Sequence, residues 1–313
     1  MLRHVVRRLL LAIPTLFVVV TIIFLVVRVI PGDPATAVLG DYATDESVAT
    51  LREQMGLNEP IWRQYLDYMT GLLTGDLGDS LISRAPAWDQ IRYVIPYTLE
   101  LTAAALMVAL VLGIPTGVIT AVRRNTWVDY TGRVVSLVGL SAPAFYVGLL
   151  LIYFFSAKAG WFPAIGAGES SQPLDNLHHL ILPAITLGLV ETAYVTRITR
   201  SVMLNVLADD YVRTARAKGL IERVVLTRHA LRAALIPIVS LVGIFTISLI
   251  GSSVLTEEVF ARPGLGKLMV GATKQRDYTL LQAIMIVYSL IIIVVNIVVD
   301  LVYTMVDPRV RYE

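Results

Sequence analysis

The stretch Leu101–Val122, LTAAALMVALVLGIPTGVITAV, runs for 22 residues without a charged side chain, between Glu100 and Arg123. A bilayer core about 30 Å thick needs about 20 apolar residues of helix to cross it. Lipid offers no partners to backbone N–H and C=O groups, so a single run of this kind satisfies them as a helix. The stretch therefore predicts a transmembrane helix.

Five more long apolar runs lie on either side of it, and one of them is interrupted by Glu191. The 313 residues are 56% hydrophobic and 16% charged, whereas a soluble domain carries about 25% charged residues. The sequence therefore predicts an all-α membrane protein with six transmembrane helices. The other five predicted spans are Leu9–Val27, Val134–Ala157, Asn176–Thr196, Ala233–Thr256 and Tyr278–Val299.

The first apolar run, Leu9–Val27, is either a membrane anchor or the core of a cleaved signal peptide. Arg3, Arg7 and Arg8 precede it, and Ala35–Ala37 imitates a cleavage site. Its 19 apolar residues exceed the apolar core of about 7–15 residues that signal peptides carry. We therefore expect a retained anchor.

The chain has no cysteine, which excludes disulfides and thiol chemistry.

Basic residues are concentrated in alternate loops, and short loops rich in Lys and Arg stay in the cytoplasm. The loop Arg197–Arg232 has eight basic residues against three acidic ones, whereas Pro31–Tyr97 has ten acidic residues against four basic ones. This asymmetry predicts that both termini and the Arg-rich loops face the cytoplasm. The loop Glu257–Asp277 is nearly balanced in charge and does not contribute.

These spans divide the chain into four parts. Residues 1–30 are the N-terminal tip and first span, and residues 31–97 are an external segment. Residues 98–306 are the transmembrane domain with a cytoplasmic loop at 203–232, and residues 307–313 are a cytoplasmic tail.

The external segment contains signals for two helices after the sequence PGDP at Pro31–Pro34 has ended the first span. Thr44 or Asp45 is suited to cap a helix that ends before Gly56, and Asn58 is suited to cap a second one. The second helix has an apolar face, which packs either on the protein's own membrane domain or at a rim that receives a soluble partner. That face consists of Ile61, Tyr65, Leu66, Met69 and Leu72.

No catalytic or metal-binding pattern emerges from the rest of the chain. The sequence PGLGKL at Pro263–Leu268 lacks the first glycine and the final Ser or Thr of a phosphate-binding loop, so we expect a turn there. His178 and His179 are adjacent and point about 100° apart on a helix, which disfavours a shared metal. We therefore expect no metal, no catalytic residue and no cofactor bound by this chain.

Ionisable residues inside a span are costly and are functional candidates by default. Asp300 lies close to the end of its predicted span, but Glu191 lies deeper. Glu191 is the candidate for a polar translocation path, or for pairing with a base on a neighbouring helix.

The cytoplasmic loop is rich in Ala, Arg, Leu and Val, which favour helix. Asp209 or Asp210 is suited to start a helix, and Gly219 interrupts it. The pattern predicts two short helices bent at Gly219 that lie against the membrane face. Such a segment serves either as an interfacial helix whose cations face lipid headgroups or as a contact for another protein.

The loop sequence DYVRTARAKGL resembles the signature loop of permease subunits of ATP-binding cassette (ABC) importers, in the form found in the dipeptide, oligopeptide and nickel permease family. The resemblance covers essentially the whole chain and is closest to dipeptide-type permeases. It departs from the general signature because Arg213, Thr214 and Ala215 stand where Glu-Ala-Ala is usual, and His229 stands where Ile is usual. The other matching stretches are PGDP, MGLNEPIWRQY, GDLGDS, LGIPTG, ILPAITLG, RHALRAALIP, SSVLTEEVF, PGLGKL, RDY and VDPR.

The resemblance implies a type I importer permease fold and an assembly of several chains. It also implies a location in the inner (cytoplasmic) membrane of a bacterium or archaeon. The implied partners are a second homologous permease, two ATPase subunits that carry ATP and magnesium, an external solute-binding protein and the lipid bilayer. Nucleic acid is not among them. The implied cargo is a peptide-type solute, and Val212, Ala215 and Leu220 are expected to fill a groove on the ATPase. The whole expected docking loop comprises Tyr211, Val212, Arg213, Thr214, Ala215, Arg216, Ala217, Lys218, Gly219, Leu220 and His229.

Two other classes of function remain open from the residues alone. A self-contained carrier driven by an ion gradient usually has more buried ionisable groups than Glu191 and Asp300. A membrane-embedded enzyme needs a catalytic constellation, which we do not find.

Overall fold

The computed structural model describes residues 2–29, 33–40, 43–168 and 172–306. This part of the chain is helical, with one isolated β-bridge between Asp79 and Pro86. The helices are α1 (Leu2–Val29), α2 (Pro34–Leu39), α3 (Asp45–Gln54), α4 (Ile61–Thr74), α5 (Ala87–Val122), α6 (Trp127–Ser141), α7 (Ala144–Leu151), α8 (Pro173–Ala208), α9 (Asp210–Ala217), α10 (Glu222–Val224), α11 (Arg232–Val259), α12 (Leu265–Lys274) and α13 (Tyr278–Val306).

Within the described ranges, five helices are long and apolar enough to cross a membrane. They correspond to five of the six predicted spans, so the long apolar runs predicted these helices correctly. The five are Leu10–Arg28, Ala87–Val122, Pro173–Ala208, Glu222–Val259 and Tyr278–Leu301.

The remaining predicted span, Val134–Ala157, is not one continuous helix. It is divided between α6 and α7, which are bent by 101° relative to each other. The break lies at Ala142, which adopts an extended conformation before Pro143, because proline disfavours helical geometry in the residue before it. Beyond α7 the chain continues as a π-helix over Ile152–Lys158. The count of spans is six if this bent pair forms one span.

Small residues bring α5 and α8 into close contact in the compact unit formed around Tyr97–Pro263. A Cβ atom on Gly117 would lie 2.5 Å from Cβ of Thr199, and one on Gly188 would lie 2.7 Å from the carbonyl oxygen of Ala105. Gly113 and Gly117 are four residues apart on α5 and line the same contact. Membrane helices associate through such small-residue stripes because their backbones can then approach closely.

A second compact unit contains Val6–Pro96 and Gly264–Ile293. Here α4 packs along α1, since the hydroxyl groups of Thr21 and Tyr65 are 2.7 Å apart and Tyr65 meets Phe24 edge to face. Met69 and Leu72 join the same contact. This bears out the first of the two alternatives for the external segment, packing on the protein's own membrane helix, for part of the predicted face. The other two members of that face, Ile61 and Leu66, are exposed.

The start of α3 agrees with the sequence prediction, but the start of α4 does not. Thr44 caps α3 and forms a capping box with Ser47. Pro60 occupies the N-cap position of α4, and Asn58 instead accepts a hydrogen bond from Arg52. The prediction for Pro31 and Gly32, and that for the tail 307–313, lie outside the described residues.

The sequence PGLGKL leads into a helix instead of a phosphate-binding loop. Gly264 is the N-cap residue of α12, and Leu265 begins the helix. The expected turn is thus confined to the residues that precede α12.

Later in the same unit, Asp277 accepts hydrogen bonds from the hydroxyl of Ser80 and from the backbone N–H of Leu81.

Candidate functional site

The candidate docking loop begins with the short helix α9, directly after α8. Asp209 lies at the N-cap position, and its carbonyl oxygen accepts hydrogen bonds from the N–H groups of Val212 and Arg213. Its side chain makes no capping hydrogen bond. Asp210 forms an ion pair with Arg213 at 2.9 Å, which places an acidic residue in the first turn, where the helix dipole favours it.

Gly219 ends α9 with a left-handed turn, as its position in the sequence predicted. Its φ angle is +77°, and its N–H group donates to the carbonyl oxygen of Arg216. A Cβ atom at this position would meet nothing within 4 Å. Within this chain the glycine is therefore required by backbone conformation and not by crowding.

A bidentate ion pair joins the two sides of the turn. Arg216 donates from Nε and Nη2 to the two carboxylate oxygens of Glu222, at 3.1 and 2.8 Å. The pair raises the pKa of the Arg216 guanidinium and lowers the pKa of the Glu222 carboxyl group. Both groups are therefore charged at neutral pH, and the turn between them has a defined shape.

The inner face of α9 is buried against the chain itself. Val212 is 0% exposed and Ala215 is 7% exposed, and both pack against Val225. Val206 and Leu207 of α8 complete this small core. The expectation that Val212 and Ala215 fill a groove on another protein is therefore wrong, because their side chains already occupy the chain's own core.

The outer face of the loop presents apolar side chains to its surroundings. Ile221 is 75% exposed, and Tyr211 and Leu220 are also exposed. Thr214, Ala217 and Lys218 lie on the same exposed side of the chain. Burial raises the pKa of the Tyr211 hydroxyl, with a further contribution from Asp209. This tyrosine stays protonated at neutral pH and remains a hydrogen-bond donor.

The second half of the loop is the beginning of a long helix and not a separate short one. α10 continues through a π-helical turn, Val225–Leu231, directly into α11. His229 lies half-buried in this π-helical turn. The expectation of two short helices is wrong at this point, because no residue between Glu222 and Arg232 breaks the helical path. The exposed tip is therefore connected to a membrane-spanning helix without a flexible linker.

Glu191 is buried in α8, with 5% of its surface exposed. Ser248 of α11 lies within hydrogen-bonding reach of its carboxyl group, while its Oε2 atom has no hydrogen-bond partner. A place in a translocation path stays a prediction for this residue.

A buried ion pair that the sequence reading did not identify joins α6 to α8. Arg200 donates from Nε and Nη2 to the carboxylate of Asp129 at 2.7 and 2.9 Å, and Asp129 is 0% exposed. The backbone N–H of Asn125 donates to the same carboxylate. Asp129 was not among the candidate residues predicted from the sequence. The signal that could have identified it is its position in the first turn of a helix.

A second polar cluster lies at the other end of α5 and α11. Arg262 is fully buried and donates to Glu100 and to Asn176. Burial lowers the pKa of Arg262, and the neighbouring Glu100 opposes this effect. Glu257 accepts a hydrogen bond from Thr98 nearby. Sequence reading treated Glu100 as the edge of a span and Glu257 as part of a family motif, so this cluster was missed.

The two adjacent histidines serve local hydrogen bonds. Nε2 of His178 lies 2.7 Å from the carbonyl oxygen of Trp161, and Nδ1 of His179 lies 2.9 Å from that of Asp175. Across the described part of the chain, no three His, Cys, Asp or Glu residues are grouped so as to hold a metal ion.

Comparison with known proteins places this architecture in a family. Residues 113–312 match the model of the inner membrane component of binding-protein-dependent transport systems, and residues 1–102 match the model of its N-terminal part. The chain belongs to this family of transport-system membrane components. The match supports the resemblance first read from the loop, and the chain is a permease subunit of an ABC importer.

Full-length relatives extend this assignment. The chain is 39% identical to a dipeptide transport system permease protein of Alkalihalophilus pseudofirmus, with both chains covered completely. It is 41% identical to a glutathione transport system permease protein of Escherichia coli K12, again over all of both chains.

A solved structure of the MetNI methionine ABC transporter in an inward-facing conformation shares the fold. Its TM-score is 0.57 at 18% identity, covering 69% of this chain and 95% of that one. These findings confirm the type I permease fold and a multi-pass protein of the inner membrane. They support an ABC importer permease in place of a self-contained ion-coupled carrier.

Proposed function

We propose that this permease moves a peptide-type solute and is driven by ATPase subunits that dock on the outer face of the α9 turn. The observation that carries the docking proposal is the exposed apolar tip, led by Ile221, on a turn whose inner face is already packed. An exposed isoleucine next to a fixed turn contributes little to folding of this chain. Together with the exposed side chains of Leu220 and Tyr211, it offers apolar surface that is suited to contact with another protein.

The proposed cargo follows from the relatives. The dipeptide and glutathione permeases have names that specify small peptides, and each aligns with this chain from end to end. Both kinds of cargo carry amide groups and free carboxylates. We assign this chain the same class of solute.

The energy source is proposed to lie in other chains. The only stretch that resembles a phosphate-binding loop, PGLGKL, lacks its first glycine and its magnesium-binding hydroxyl. ATP and magnesium would therefore bind to two partner ATPase subunits. A second homologous permease and an external solute-binding protein complete the proposed assembly.

The continuous path from Glu222 into α11 gives the docking site a mechanical role. A displacement of the tip moves the base of a membrane helix, because no flexible linker intervenes. The exposed Arg216–Glu222 pair links the two sides of the turn and contributes about 0–1 kcal/mol to its stability.

The substitution Ile221→Asp tests docking, with Ile165→Asp as its matched control. Ile165 is 62% exposed in the segment between the π-helix after α7 and the start of α8. We expect Ile221→Asp to lower the recovery of ATPase subunits with the purified permease at least tenfold, since a buried apolar contact would acquire an unpaired charge. Ile165→Asp should leave recovery unchanged. Equal recovery from both variants would refute docking at the tip.

A further inference from the structure

A cavity of about 280 Å³ lies between α5, α6 and α8, separate from the docking tip. Leu137 and Leu140 of α6 form its apolar side. Its polar side carries three arginines, Arg133, Arg197 and Arg200. The docking role does not explain why three guanidinium groups surround one small cavity.

Positive charges outnumber negative charges around the cavity. The buried carboxylate of Asp129 binds Arg200 through two hydrogen bonds, and Nε of Arg133 lies 3.5 Å from the same carboxylate. Arg197 stacks near the ring of Tyr194 at 5.8 Å and forms no ion pair within the described residues. One carboxylate therefore faces three guanidinium groups, which leaves an excess of positive charge at the cavity.

Aromatic residues indicate the depth of the cavity in the membrane. Trp127 and Tyr130 are exposed in the first turn of α6, and such residues are enriched at membrane–water interfaces. Arg133 follows Tyr130 by three residues, or about 4.5 Å along the helix. Beyond it, Val134, Leu137 and Val138 are exposed on α6. The cationic side thus lies at headgroup depth and the apolar side continues towards the lipid tails.

We propose that this cavity binds the phosphate headgroup of an anionic phospholipid, with an acyl chain along α6. Guanidinium groups match the geometry of phosphate oxygens, and basic pockets between membrane helices bind anionic lipid headgroups. Free inorganic phosphate offers the same charge but makes no use of the exposed apolar face. A solute carboxylate is the competing occupant, and the apolar residues that continue from the cavity favour the lipid.

Native mass spectrometry of the assembled transporter, titrated with phosphatidylglycerol or phosphatidylcholine, measures this binding. We expect a preference for phosphatidylglycerol that falls about fivefold for each of Arg133→Ala and Arg197→Ala, from the usual contribution of one basic residue near an anionic surface. Ser136→Phe keeps every charge but fills the cavity, and it should abolish the preference.

Arg200 is left intact because it holds Asp129. Arg223→Ala and Arg228→Ala remove the same charge from exposed positions of the loop and serve as matched controls.

Three results would overturn the proposal. The first is an equal preference for phosphatidylglycerol in Ser136→Phe and the parent chain. The second is complete displacement of the lipid by millimolar inorganic phosphate, which would show that the apolar face contributes nothing. The third is loss of binding of a carboxylate-bearing peptide in the Arg197→Ala variant with lipid binding unchanged, which would assign the cavity to the solute.

Discussion

At the scale of single residues, small and apolar residues occur in the loop for different physical reasons. Gly219 needs a positive φ angle and has open space around it, whereas Val212 and Ala215 are small because the chain's own core encloses them. Their apolar character alone does not show whether a partner covers them. Burial separates the two cases, and the exposed side chain of Ile221 is therefore the contact that we propose.

Substitution of Gly219 by Glu tests whether the turn serves transport. We expect normal expression and membrane insertion but uptake near background. A glutamate is strained in the left-handed conformation of this turn, and it places a bulky charge against the partner. Gly160→Glu is a close control, since Gly160 has φ +66° and likewise nothing within 4 Å of an added Cβ. It should retain most uptake. Similar losses in both variants would show that backbone strain alone, and not docking, explains the effect.

At the scale of helices, the long apolar runs predicted five spans because desolvation of charge in lipid dominates every other preference. The sequence predicted Val134–Ala157 as one span and not the 101° bend, since the angle depends on what α6 and α7 each pack against. The continuation of α10 into α11 was missed because local propensity marks breaks, such as Gly219, more clearly than it marks continuity. The ion pair between Asp129 and Arg200 joins residues 71 positions apart, which periodicity does not relate.

The contact between α5 and α8 gives a prediction about packing. In Gly117→Leu the new side chain would meet Cβ of Thr199 and the carbonyl oxygen of Thr196, at 2.5 and 2.7 Å from Cβ. We expect a loss of about 1–3 kcal/mol of stability, as overpacking usually costs, measured as a lower Tm in detergent. Gly251→Leu in α11 is the control, because an added Cβ there meets nothing within 4 Å. Equal Tm values for the two variants would contradict the close packing of these helices.

At the scale of the whole molecule, the family assignment and the end-to-end relatives make this chain one part of a larger transporter. The sequence predicted that identity from an ordered set of short motifs, whereas composition and periodicity alone gave only a polytopic membrane protein. The polar clusters around Arg262 and Asp129 were not predicted, because each draws its members from distant helices. Docking on the loop stays a prediction, and the burial of Val212 and Ala215 moves the proposed contact to the outer side of α9.

The orientation of the chain in the membrane is testable because the chain contains no cysteine. The distribution of Arg and Lys predicts that Lys218 faces the cytoplasm and that Asp45 faces outward. In intact cells, a membrane-impermeant thiol reagent should label Asp45→Cys and spare Lys218→Cys, while permeabilised cells should show labelling of both. The reverse pattern in intact cells would invert the topology.

Site-directed photo-cross-linking measures most directly whether the outer face of the α9 turn contacts a separate ATPase subunit. A benzophenone maleimide attached to Ile221→Cys in the assembled transporter should give a covalent adduct with the ATPase subunit, and nucleotide should change its yield. The same reagent on Ile165→Cys should give no such adduct. Docking at this turn is contradicted if Ile221→Cys yields no ATPase adduct in a complex that demonstrably contains the ATPase, or if Ile165→Cys yields as much.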